Sequence, residues 1–346
     1  MKGSTGRNLL LRAGLWAAVA AQALALGGCP GQPAASREVV VYCALDRLYA
    51  QPVLDAFQAR TGIVVRAKWD TEATKTTGLV ESLRASPGTC DVFWNNEVSQ
   101  TAALAREGLL APYDSPSAAG LPASVRAPTW TGFAARARVL LLNTQKIQAA
   151  GPAPTSVKDL LDPRWRGRCA IARPLFGTTA THVAALLAKG GPDGLRAFLR
   201  GLVENQVVVA AGNAGVKDLV ARGEVDFGLT DSDDANLALE AGSPVRVVFP
   251  DQGPDQPGAL LIPNSVAILE KAPHPAEARA LVDELLSLDV EARLAASRSA
   301  QVPLRAAAAR PAWIPADLRT FDVAWDDVAA AFAPARDLVK AELLKE

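Results

Sequence analysis

The run Glu38-Val-Val-Val-Tyr-Cys43 is apolar almost throughout, with no polar alternation to mark a solvent-facing side. Such a strand has to be covered on both faces, as buried parallel strands are. The next residues supply the covers. Leu48 to Thr61 carries Leu48, Val53, Leu54 and Phe57 at helical spacing, and Gly62 stops it. Ile63 to Trp69 reads as a second strand, Thr76 to Ala85 as a helix, and Ser86-Pro-Gly as a turn. Asp91 to Trp94 is a third strand and Val98 to Glu107 another helix. This alternation demands an α/β fold with a parallel sheet between helices.

The second half repeats the alternation without repeating the sequence. Strands are expected at Gly132 to Asn143, Cys169 to Ala172, Gln206 to Ala210, Val225 to Leu229 and Val245 to Phe249. Gly258 to Ile262 and Ser265 to Leu269 are two more, separated by Pro263. Helices are expected at Thr178 to Lys189, Asp193 to Glu204, Val216 to Arg222, Asn236 to Glu240, Pro275 to Leu288 and Val290 to Ser297. Two helix-forming runs, Val323 to Phe332 and Ala333 to Leu344, close the chain. A length of 346 residues suits two domains of ordinary size.

The first residues read as an address. Lys2, Arg7 and Arg12 precede an apolar run from Leu15 to Leu26, too short to span a bilayer well. Leu26-Gly27-Gly28-Cys29 resembles a lipoprotein signal-peptidase box, so residues 1–28 are expected to leave and Cys29 to carry a lipid. Residues 29–37, rich in Pro, Gly, Ala and Ser, read as a tether. The expected location is periplasmic and lipid-anchored. Cys43, Cys90 and Cys169 remain, an odd number. Cys43 ends one strand and Cys90 begins another. In a parallel pair they lie too far apart for a disulfide.

Lys and Arg balance Asp and Glu at 36 each, so nothing points to nucleic acid. Local charge is more informative. After the strand ending at Leu229 come Thr230-Asp-Ser-Asp-Asp234, three carboxylates within four residues. Such crowding is costly unless a cation, water or helix N-termini relieve it. A solvated turn or an Asp helix cap explains the same residues.

Several motifs together resemble a known family. They include Phe57-Gln-Ala-Arg-Thr-Gly-Ile63, Lys75-Thr-Thr-Gly-Leu79, Asp91-Val-Phe-Trp-Asn-Asn-Glu97 and Ala105-Arg-Glu-Gly-Leu-Leu-Ala-Pro-Tyr113. Phe176-Gly-Thr-Thr179, Ile262-Pro-Asn-Ser-Val-Ala267 and Ala272-Pro-His-Pro275 continue the series. Their order resembles the ferric-iron branch of the extracellular solute-binding proteins of ABC importers. The resemblance implies the two-lobed periplasmic-binding-protein fold of type II, with parallel-sheet lobes joined by a two-strand hinge. Lobe one would hold residues 38–131 and 266–346, and lobe two residues 132–265. It implies a monomer that binds no nucleic acid and works with a permease in the inner membrane.

Open α/β sheets bind ligands beyond the carboxyl ends of their strands. The loops after Cys43, Trp69, Trp94, Ala172, Ala210 and Leu229 would then surround one cleft. They offer Asp46, Glu72, Lys75, Asn96, Glu97, Asn213, Asp231, Asp233 and Asp234 as ligand-binding groups. Thr178 and Thr179 open a helix and would add an anion site. The resemblance implies a His and a Glu from lobe one and adjacent tyrosines from lobe two as ferric ligands. Here Asp46 falls near the His position, Glu97 near the Glu, and Asp233-Asp234 near the tyrosines; no tyrosine pair exists in the chain. Asp46, Glu97, Asp233 and Asp234 are the expected metal ligands, oxygen donors that suit hard cations.

The leading expectation is capture of ferric iron, alone or with a synergistic anion. An organic cation such as a polyamine, or an aminophosphonate, is the alternative, as is a lipid-anchored sensor. No resident cofactor is expected. No nucleophile elbow or zinc-protease motif appears, so an enzyme is not expected.

Overall fold

The computed structural model describes Met1 and residues 37–70, 77–148 and 151–345. The first α/β run is β1 (Glu38–Cys43), α1 (Arg47–Thr61), β2 (Val64–Trp69), α2 (Thr77–Ala85), β3 (Val92–Asn95) and α3 (Ser99–Arg106). Two short strands, β4 (Leu110–Ala111) and β5 (Arg126–Ala127), lead to the long β6 (Trp130–Asn143) and the single turn α4 (Thr144–Ile147). The second run is β7 (Cys169–Ala172), α5 (Gly177–Glu204), β8 (Val208–Ala210), α6 (Asn213–Ala221), β9 (Phe227–Asp231), α7 (Ser232–Glu240) and β10 (Val245–Val248). Then follow β11 (Leu261–Leu269), α8 (Pro275–Leu285), α9 (Leu288–Ala296) and α10 (Trp325–Leu338).

The main strand order is β2-β1-β3-β11-β6-β9-β7-β8. Strands β2, β1 and β3 are parallel, and so are β9, β7 and β8. Antiparallel β11 and β6 stand between the two parallel groups. Strand β6 belongs to both sheets: Thr131–Ala137 pairs with β11, and Arg138–Leu142 pairs with β9. All 14 of its residues are buried, which explains its apolar run from Val139 to Leu142. Its side chains alternate between two cores. Leu140 and Leu142 join a cluster with Phe93, Trp165 and Phe227; Val139 and Leu141 join another with Ala170, Val216 and Val220.

Several boundaries differ from the sequence expectation, among them the start of α7 at Ser232 instead of Asn236 and of α6 at Asn213 instead of Val216. Pro263 does not separate two strands, because the ladder shifts register between Pro263 and Asn264, where a proline costs no paired N–H. The Asn264 side chain donates to the Ala134 carbonyl, and Ala134 has φ 37°. Likewise α5 joins both expected helices across a kink at Gly191, φ 68°.

The chain after α9 packs on elements of both halves. Val302 and Ile314 enter the second core, and Trp313 stacks on Phe249 at 5.9 Å. Helix α10 packs against both α3 and α5. Cys43, Cys90 and Cys169 are buried and unbridged. Among the described residues no helix is long and apolar enough to cross a membrane.

Candidate functional site

The loops at the carboxyl ends of β1, β2, β3, β8 and β9 converge on a cavity of about 440 Å³. The first half contributes Asp46, Tyr49, Trp69, Asp70 and Asn96. The second half contributes Asn213, Asp231, Asp233 and Asp234, and Arg136 enters from β6. A ligand here lies beyond the strand ends, where parallel sheets present loops and helix N-termini.

The acidic residues gather because β9 ends where α7 begins. Asp231 is the N-cap residue of α7, and Asp233 and Asp234 occupy its first turn. The helix dipole favours negative charge there. Carboxylate oxygens of the three lie within 4.8 Å of one another. Their surroundings then separate their roles.

Asp231 is almost wholly buried and fully partnered. The register of β6 on β9 sets Arg138 directly opposite it. Arg138 donates to its carboxylate at 2.5 Å, the Thr178 hydroxyl at 2.5 Å and Asn213 Nδ2 at 2.8 Å. Burial alone would raise its pKa; Arg138, then Arg136 and Thr178, hold it below the ordinary value. Asp231 is therefore a buried carboxylate neutralised by a buried guanidinium.

Asp233 and Asp234 are only partly buried, and among the described residues no comparable partner serves them. Burial first, and then Asp231, push Asp233 up to about 6, against the pull of Arg136 at 3.5 Å. Burial and the charges of Asp233 and Asp231 raise Asp234 well above the usual carboxylate range. Two adjacent carboxyls with raised pKa values thus border the cavity.

The other expected site residues divide. Asp46 is exposed at the cavity mouth, and Asn96 and Asn213 line it. Glu97 does not reach the acidic trio. Its carboxylate accepts from Ser99 N at 2.8 Å, Gln100 N at 3.0 Å and the Thr181 hydroxyl at 3.1 Å. It caps the start of α3 and faces a separate cavity of about 500 Å³. The reason is local: a carboxylate just ahead of a helix captures free N–H groups before it captures a ligand. Thr178 and Thr179 are not an open anion site either. Arg138 donates to both hydroxyls at 3.2 Å, and both residues are buried. Glu72, Lys75 and Cys29 lie outside the described residues.

Sequence reasoning missed Arg136 and Arg138. The available signal was two arginines at i and i+2 in an otherwise apolar strand, hence on one face. Tyr49 and Trp69 also line the cavity without having been chosen as site residues. Cys43 is a buried thiol whose pKa burial pushes up, so it supplies no thiolate.

Residues 53–320 match the family model described as bacterial extracellular solute-binding protein. The chain belongs to this family. The solute-binding protein is 28% identical over 261 residues to the Fe(3+)-binding periplasmic protein of Serratia marcescens, spanning 73% of this chain and 75% of the relative. It is 25% identical over 254 residues to a putative 2-aminoethylphosphonate-binding periplasmic protein of Salmonella typhi, spanning 72% of each. The crystal structure of iron-bound HitA from Pseudomonas aeruginosa superposes with a TM-score of 0.77 at 28% identity, covering 87% of this chain and 99% of that one. The binding protein therefore has the two-lobed type II architecture of that group, with the cavity described above at the strand ends of both sheets.

Proposed function

We propose that this solute-binding protein captures a cation in the acidic cavity, ferric iron being the leading solute, and delivers it to an ABC permease. The observation that carries the reading is the trio Asp231, Asp233 and Asp234, with oxygens within 4.8 Å and two members raised above the ordinary carboxylate pKa. A cation relieves that repulsion, and oxygen donors suit a hard one. In this reading Asp233, Asp234 and Asp46 contact the solute, and Asp231 holds the arginines beneath it. The relative from Serratia and the iron-bound structure from Pseudomonas support iron. The proposed lobes are residues 38–131 with 266–346, and residues 132–265, and closure brings Asp46 toward the trio. Residues 1–28 are proposed as a lipoprotein signal and Cys29 as the periplasmic anchor, so that capture occurs beside the membrane.

A second reading rests on the size and walls of the cavity. About 440 Å³ admits a small organic molecule. Tyr49 and Trp69 offer aromatic faces to an amine, and the Salmonella relative supports an aminophosphonate. Metal analysis and native mass spectrometry of the purified protein, followed by calorimetric titration with ferric nitrilotriacetate, 2-aminoethylphosphonate and spermidine, separate the two. Iron carried through purification, and a heat of binding for the ferric probe alone, support the first reading. Binding of an amine with no metal present replaces it with the second. Binding of none of these, or binding untouched by Asp233→Asn with Asp234→Asn, rejects the acidic cavity as the site.

A further inference from the structure

Arg136 sits where a cationic solute would arrive. It is 9% exposed and lies on the strand shared by both sheets. Its Nη1 faces Asp233 at 3.5 Å and Asp231 at 3.8 Å, while its Nη2 donates to the Asn96 carbonyl on the other side of the cavity. Nε has no partner. Burial disfavours its charge, yet Asp233, Asp231, Asp46 and Asp234 together hold its pKa above the ordinary arginine value. The guanidinium is thus permanently charged, loosely bonded and pressed against the carboxylates the solute needs.

Charge around the cavity is therefore partly spent within the protein. Among the described residues, Arg47 and Arg136 stand in the wall beside Asp46, Asp233 and Asp234, and Arg138 is bonded to Asp231. Each fixed guanidinium there offsets part of the attraction that a bare trivalent ion would otherwise find.

We propose that Arg136 is a resident counter-cation that sets the charge of the solute the cavity accepts. It disfavours a bare trivalent cation and favours one whose charge is already reduced, either ferric iron within a carboxylate chelate or a small organic amine. The inference rests on the acidic cavity being the binding site. It makes Arg136 a specificity determinant, through Coulomb repulsion at short range in a partly desolvated site.

The test compares the wild type with Arg136→Gln, Arg136→Met and Arg136→Lys, using terbium(III) as the bare trivalent probe and ferric citrate as the chelated one. Terbium luminescence and calorimetry report affinity, and circular dichroism and thermal melts report folding. Loss of the charge is expected to tighten terbium binding by about tenfold or more. The ratio of terbium to ferric citrate affinity is expected to rise with it. Arg136→Lys keeps the charge and is expected to stay near the wild-type ratio. The thermal shift on adding terbium is expected to grow in the neutral variants, an effect that a packing role does not produce. Either neutral variant suffices if the other does not fold. If a folded neutral variant binds terbium no more tightly than wild type, while Asp233→Asn with Asp234→Asn abolishes binding, Arg136 is not a counter-cation and the site stands. If the double aspartate variant binds both probes unchanged, the site itself is wrong and the inference falls with it.

Discussion

Asp233 and Asp234 share the first turn of α7 with more negative charge than their surroundings balance. An acid whose folded pKa is raised favours the protonated form. Its contribution is fully present below the unfolded value near 3.8, and is lost as pH rises through the higher folded value. Asp234→Asn is therefore expected to stabilise the ligand-free protein at pH 7.5 by about 2–4 °C in Tm, a gain that shrinks toward pH 4. The same variant is expected to lose about tenfold or more in affinity for a cation. Melts across that pH range, with and without solute, check both halves. His274 shifts in the same direction, through a charge pair instead of burial. Its Nδ1 lies 2.9 Å from the buried Asp91 carboxylate, which raises its pKa above 6.5. That contribution is present below pH 6.5 and is lost as pH rises through the raised value. His274→Gln is expected to flatten this part of the stability profile, which urea denaturation at several pH values measures. The acidic trio was legible because its members are neighbours in sequence. The Asp231–Arg138 pair was not, because its partners are 93 residues apart and meet only through the register of β6 on β9.

Most elements could be read from apolar periodicity, and β1 and β7 matched to the residue. The failures arose where the punctuation was misleading. Pro263 looked like a strand end, but it sits at a register shift where no ladder hydrogen bond is lost. Gly190-Gly191-Pro192 looked like a helix boundary, yet the helix resumes beyond the kink. Packing between elements could not be read from one sequence at all, and Gly228 shows why. A Cβ there would collide with Val216 of α6 and meet the Ala170 carbonyl of β7 at 3.0 Å. The close seating of α6 on the second sheet, which positions Asn213 in the cavity, depends on that missing atom. Gly228→Ala is expected to cost about 1–3 kcal/mol by overpacking, seen as a lower urea midpoint.

At the scale of the molecule, the two halves were legible as a repeated α/β alternation, but the closing tail was not. Trp313 and Ile314 carry no period that says which core they join, and the answer is the second, with α10 touching both halves. Cys43, Cys90 and Cys169 are buried with no disulfide among them, so the folded body is expected to be indifferent to reductant. A thiol reagent is expected to label these three only after denaturation, beyond whatever Cys29 contributes, and mass spectrometry of labelled peptides checks this. Strand β6 also limits how proteins of this shape can be recombined. Any chimera exchanging one half for a relative's must cut or replace the single strand that carries Arg136 and Arg138 while pairing with both sheets. Solute preference is then not a property that travels with either half, and grafting the acidic loop alone would transplant the carboxylates without the cations that temper them.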